Sequence, residues 1–193
     1  MLKKKLETYI MDNAVDHTIE LPDVVKLYAE QHLLLPDNIA VEVNDIRYDV
    51  IELCNKETEE VIRTETAEFL NESMTYLKKN RDEFIFLESK SFELARIDAV
   101  ALELDDVFET YTALFGLKVQ KKFGPDFKQY LDEHLNGDGV KYSVSFSDAD
   151  GLWDVNFALD YMKGFDEDIS INKIVELMYS FVYNMIEALE DAQ

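Results

Sequence analysis

The chain is short of the residues that staple, coordinate or cradle. A single cysteine, Cys54, among 193 residues excludes an internal disulfide. Three histidines, His17, His32 and His134, stand far apart and in none of the spacings that build zinc or di-iron sites. Glycines number six and prolines three, and no G-x-x-x-x-G-K-[ST], G-x-G-x-x-G or G-x-S-x-G motif occurs. The common phosphate-binding loops and the serine elbow are therefore absent from the sequence. No secretory pattern opens the chain, and no window approaches the ~18–20 apolar residues of a membrane-spanning helix. With one thiol, these absences lead us to expect a reducing, cytoplasmic setting.

Bases are scarce too. Nineteen Lys and Arg face 41 Asp and Glu, for a formal charge of −22. The excess is not a tail, because residues 1–100 carry 22 acids and 12 bases and residues 101–193 carry 19 and 7. Both halves repel phosphate, so direct binding to DNA, RNA or an anionic membrane is disfavoured, and a basic protein is the expected partner.

What is present is apolar pattern. Hydrophobic residues make up 47% of the chain, ample for one packed domain over residues 1–193. From Ser91 to Gly116, Leu94, Ile97, Ala101, Leu104, Phe108, Tyr111 and Phe115 follow steps of three and four, with Val100, Val107 and Leu114 along one edge. This spacing predicts one central helix over 91–115, roughly 37 Å long at ~1.5 Å per residue. A second stripe, Ile171, Ile174, Val175, Met178, Phe181, Val182, Met185 and Leu189, predicts a closing helix over 170–190 capped by Ser170. Antiparallel packing of the two is the expected frame.

Shorter signals surround them. Leu2, Leu6 and Ile10 predict a first helix, and Pro22 opens a second that Pro36 ends. Ile39 to Ile62 is rich in β-branched residues, with a turn at Asn55-Lys56-Glu57. Thr64 to Asn80 reads as helix, while Phe84-Ile85-Phe86-Leu87 fits strand or helix equally. A turn at Gly124-Pro125 precedes a short helix carrying Phe127, Tyr130 and Leu131. Alternation from Val140 to Leu159, broken at Asp148-Ala149-Asp150-Gly151, predicts a β-hairpin over 140–159 with one wet and one apolar face. The expected fold class is thus α+β, mainly helical: a bundle around the two long helices, with the hairpin against it.

The candidate chemistry is carboxylate chemistry. Glu65 and Glu68 on one expected helix, and Glu103 and Asp106 on the central one, would face each other across a bundle and could hold Mg²⁺, as in a small nucleotide hydrolase. In a chain with 41 acids, such pairs also arise by composition alone. Asp148 to Gly151 opens like a calcium loop, but its glycine comes two positions early and no Glu stands twelfth. Lys118, Lys121, Lys122 and Lys128 cluster around Phe123-Gly124-Pro125 and suit an acidic ligand or an acidic face of the protein itself. Tyr179 and Tyr183 flank the last helical stripe, where they fit a groove or a homodimer seam as well as a core.

The stretches KETEEVIRTE, KKFGPDF and DGLWDVNF resemble a family of small cytosolic proteins of low-GC Gram-positive bacteria, some of which carry an aminotransferase name. That resemblance covers most of the chain and implies no functional residue. A branched-chain aminotransferase is a much longer two-domain protein whose Schiff-base lysine and pyridoxal-phosphate cup have no counterpart here. The sequence therefore points to a non-enzymatic acidic protein, with no cofactor, that binds a basic protein as an inhibitor, immunity or regulatory protein would. A metal-dependent hydrolase is the competing class. A DNA mimic, with carboxylates spaced like phosphates, is a sharper form of the first.

Overall fold

The computed structural model describes residues 2–191. Its frame is a sheet and not a bundle. Seven antiparallel strands, β3 (Val50–Asn55), β4 (Val61–Thr64), β5 (Glu83–Glu88), β6 (Ile97–Leu104), β7 (Tyr111–Leu117), β8 (Tyr142–Ser147) and β9 (Leu152–Ala158), run in the order β4-β3-β5-β6-β7-β9-β8. A separate parallel pair, β1 (Thr18–Leu21) and β2 (Ala40–Val43), flanks α2 (Asp23–Gln31) in sequence.

The mainly helical bundle is corrected here, and its central helix with it. Residues 91–115 form the end of a 3-10 helix (Lys90–Ala95), then β6, a turn, and most of β7. Two local features break any continuous helix. Arg96 adopts the left-handed region at φ 59°, and Glu109 does so at φ 52°. Between them Asp105 folds the chain back, its Oδ1 accepting the N–H groups of Val107 and Phe108 at 2.7 and 2.8 Å. The apolar spacing is also compatible with alternation. Val100, Leu102 and Leu104, then Tyr111, Ala113, Phe115 and Leu117, all point into the core, whereas Val107 and Phe108, assigned to the helical stripe, are exposed. Thr64 to Asn80 likewise holds only a 3-10 helix (Ala67–Asn71) and the short α3 (Thr75–Lys79).

Several other expected elements form, although α2 stops at Gln31, short of Pro36. Leu2, Leu6 and Ile10 bury one face of α1 (Leu2–Asn13). Phe84 to Leu87 is strand, as part of β5. Pro125 sits in the first turn of α4 (Gly124–His134), and Gly124 lets that turn approach the sheet, since a Cβ there would lie 2.6 Å from the Trp153 ring. The hairpin forms as β8 and β9. Ser170 accepts the Lys173 N–H at the start of α5 (Ile171–Asp191), whose stripe is buried along its length. Without a central helix to meet, α5 packs with α1, α2, α4 and the inner side of the sheet in one apolar core. No helix among the described residues is long and apolar enough to cross a membrane.

Candidate functional site on the open sheet face

All the helices that join the core pack on one side of the seven strands. Successive strand residues point to opposite faces, so each residue that supplies the core has neighbours that do not. The row Glu52, Phe86, Ala101, Leu114, Asn156, Ser143 crosses six strands in hydrogen-bonded register on the side away from the helices. Beside it Cys54 pairs with Phe84, and Glu103 with Thr112. Phe84, Phe86, Ala101 and Leu114 are partly exposed and do not pack against the core.

These residues line a shallow depression of ≈ 440 Å³ together with Glu52, Cys54, Lys56, Glu59, Val61 and Glu103. Its floor is apolar and its rim is acidic. The one cation there, Lys56, is engaged, donating to the Leu104 carbonyl and lying 3.4 Å from Asp106. Burial raises the Glu103 carboxyl above the usual glutamate value; Lys56 opposes the shift, and Asp105 and Asp106 add to it. The Cys54 thiol is pushed up first by burial and then by Glu52, which keeps it protonated and poorly nucleophilic. Further along, a second hollow holds Leu114, Ser143, Ser145, Asp154 and Asn156. At that end Asp98 Oδ1 accepts the N–H groups of Gly116 and Ala99 at 2.7 and 2.6 Å.

The four carboxylates considered for a metal fall apart in space. Glu65 follows β4 and pairs with Arg63 at 2.5 Å, and Glu68 lies in the 3-10 helix, accepting from Thr66. Glu103 is on β6, and Asp106 in the following turn pairs with Lys56 and Arg81. Neither pair shares a helix, so the facing-helix arrangement has no basis. Among the described residues no three His, Cys, Asp or Glu groups gather closely enough to hold a metal ion.

The remaining candidates are structural. Asp148 to Gly151 is the β8–β9 turn, and Asp148 meets Lys121 at 2.7 Å, so an acidic group of the protein itself takes that lysine. Lys122 lies over the Phe123 ring. Tyr179 and Tyr183 are buried at 1% exposure, Tyr179 donating to the Ser91 carbonyl and Tyr183 meeting Tyr28 edge-on. His32 faces Glu187 at 3.2 Å, and His134 stacks on Tyr130.

Sequence reasoning did not single out Phe84, Phe86 or Leu114 as surface residues. The signal lay in the Phe84–Leu87 run itself. A strand apolar on both sides calls for cover on both sides, and the described residues supply it on one. Comparison with protein families, with curated proteins and with solved structures finds no match to this chain, so the site is read from its own geometry.

Proposed function

We propose that this protein acts by binding a cationic protein through the open face of its seven-stranded sheet, in the manner of an inhibitor, immunity or regulatory protein. The carrying observation is that depression: Phe84, Phe86, Ala101 and Leu114 side by side, uncovered, and rimmed by Glu52, Glu59 and Glu103. An apolar centre with aromatic side chains inside a charged rim is the anatomy of a protein interface. The formal charge of −22 supports the reading, because it speeds encounter with a basic partner and repels nucleic acid. The raised Glu103 carboxyl and protonated Cys54 thiol suit desolvation under a partner.

The test is capture of a defined partner from the native cell, compared across surface variants. Wild type and Asp126→Lys/Asp138→Lys, which changes charge away from the face, should retain the same basic protein at low salt and lose it as salt rises. Phe84→Ser/Phe86→Ser and Glu52→Lys/Glu103→Lys, checked for native circular dichroism, should not retain it. Equal capture by the face variants would remove the proposal.

A further inference from the structure

In so acidic a molecule a groove with four cations among its nine lining residues stands out. The flank of α1 beside its buried stripe carries Lys4, Lys5, Thr8, Tyr9, Asp12 and Asn13, one helical turn apart in pairs. Across from it lie Lys90 and Glu93 of the 3-10 helix, followed by Arg96. Together they line an open groove of ≈ 830 Å³. Two carboxylates, Asp12 and Glu93, face four cations there.

Those cations are under-compensated. Lys5 donates to the Glu93 carbonyl and lies 3.9 Å from the Glu93 carboxylate. Lys4, Lys90 and Arg96 form no side-chain ion pair or hydrogen bond with any described residue, although 41 acids are available in the chain. Arg96 adds a second signal, for its Nε is a buried donor without a partner. A buried unpaired donor on a charged group is costly, and among the described residues this guanidinium has no internal acceptor to offset its burial. Burial lowers the Lys5 ammonium's pKa; Glu93 opposes this, and Arg96 and Lys118 lower it further, so like charges crowd here around few anions. The molecule's overall negative field does not forbid an anion at this place, because beyond about 8 Å at physiological ionic strength the distant acids are screened.

We infer that this groove is a binding site for a small phosphorylated molecule, its phosphoryl group held by Lys4, Lys5, Lys90 and Arg96. Lysine ammonium groups and an arginine fork are the side chains suited to phosphate oxygens. The groove also shares Tyr9, Asn13 and Lys90 with an adjoining cleft of ≈ 500 Å³ that presents Asn44, Asp45, Arg47 and Asp49, polar groups suited to the rest of such a ligand. The site has no residue in common with the open sheet face, and its test involves no protein partner.

The probe is inorganic pyrophosphate, titrated calorimetrically into the full chain at physiological ionic strength, where the distant acids are screened. Saturable binding is expected, weakened at least about tenfold in Lys4→Gln/Lys90→Gln, two exposed side chains whose loss leaves the core untouched. Lys128→Gln/Lys163→Gln removes the same charge elsewhere on the surface and should bind like wild type. Phosphatidylcholine vesicles carrying phosphatidic acid form the second arm, and no co-sedimentation is expected. The inference is overturned by absence of pyrophosphate binding, by equal weakening in both double variants, or by vesicle binding without pyrophosphate binding.

Discussion

Two rows of residues, one position apart on the same strands, meet opposite fates. Ile51, Leu87, Val100, Phe115, Val155 and Val144 face the helices and join the core, while Glu52, Phe86, Ala101, Leu114, Asn156 and Ser143 face away. Both rows share one hydrogen-bonded ladder and the same neighbouring strands. The difference is cover: helical side chains close over one row, and nothing in the described chain closes over the other. Core packing is therefore concentrated on one face of the sheet, and partly exposed apolar side chains are left on the other.

The sharpest way to break this contrast is to truncate leucines that point in opposite directions from the β6–β7 hairpin. Leu102 is fully buried and Leu114 is partly exposed. Leu102→Ala should destabilise by about 2–5 kcal/mol in urea unfolding, and Leu114→Ala by less than about 1 kcal/mol. Comparable losses would mean that the open face is part of the stabilising core after all.

A smaller effect is expected at the edge of the open face. A Cβ on Gly116 would stand 2.2 Å from Asp98 Oδ2, so Gly116→Ala must expel the carboxylate from its two backbone donors. The expected cost is about 1–3 kcal/mol. Because Asp98→Ala removes the same contacts, the double variant should fall well short of additivity in the same unfolding assay. Full additivity would show that the two residues act independently.

The smallest effect concerns charge. The folded state raises the Glu103 carboxyl above the usual value of 4.5, chiefly by burial, so between 4.5 and that raised value the native protein binds more protons than the unfolded chain. Stability from this group rises as pH falls through that window, and at neutral pH the ionised carboxylate is a liability. Glu103→Gln should therefore show a slightly higher Tm than wild type at pH 7, with the gap closing toward pH 4. A gap that widens on acidification would reverse the assignment.

Legibility in the sequence followed how local the deciding interaction was. The 140–159 hairpin was readable because strict alternation and an Asp-rich turn specify it within twenty residues, and the Ile171–Leu189 stripe was readable because its three-four spacing has no competing reading. Residues 91–115 defeated the same method. Their apolar residues satisfy both periods, and the choice falls to pairing with β5 on one side and β9 on the other. The cationic groove was hidden for a similar reason, since Lys4 and Lys5 lie more than eighty residues from Lys90 and Arg96.

Composition alone set the charge of −22 and excluded an internal disulfide, and residue order alone excluded any long apolar run, because no folding alters either. Which apolar residues face solvent was decided only when the helices gathered on one side of the sheet. That choice depends on contacts between segments distant in the chain, and a strand such as Phe84–Leu87, apolar at every position, carries no local mark of which side will be covered.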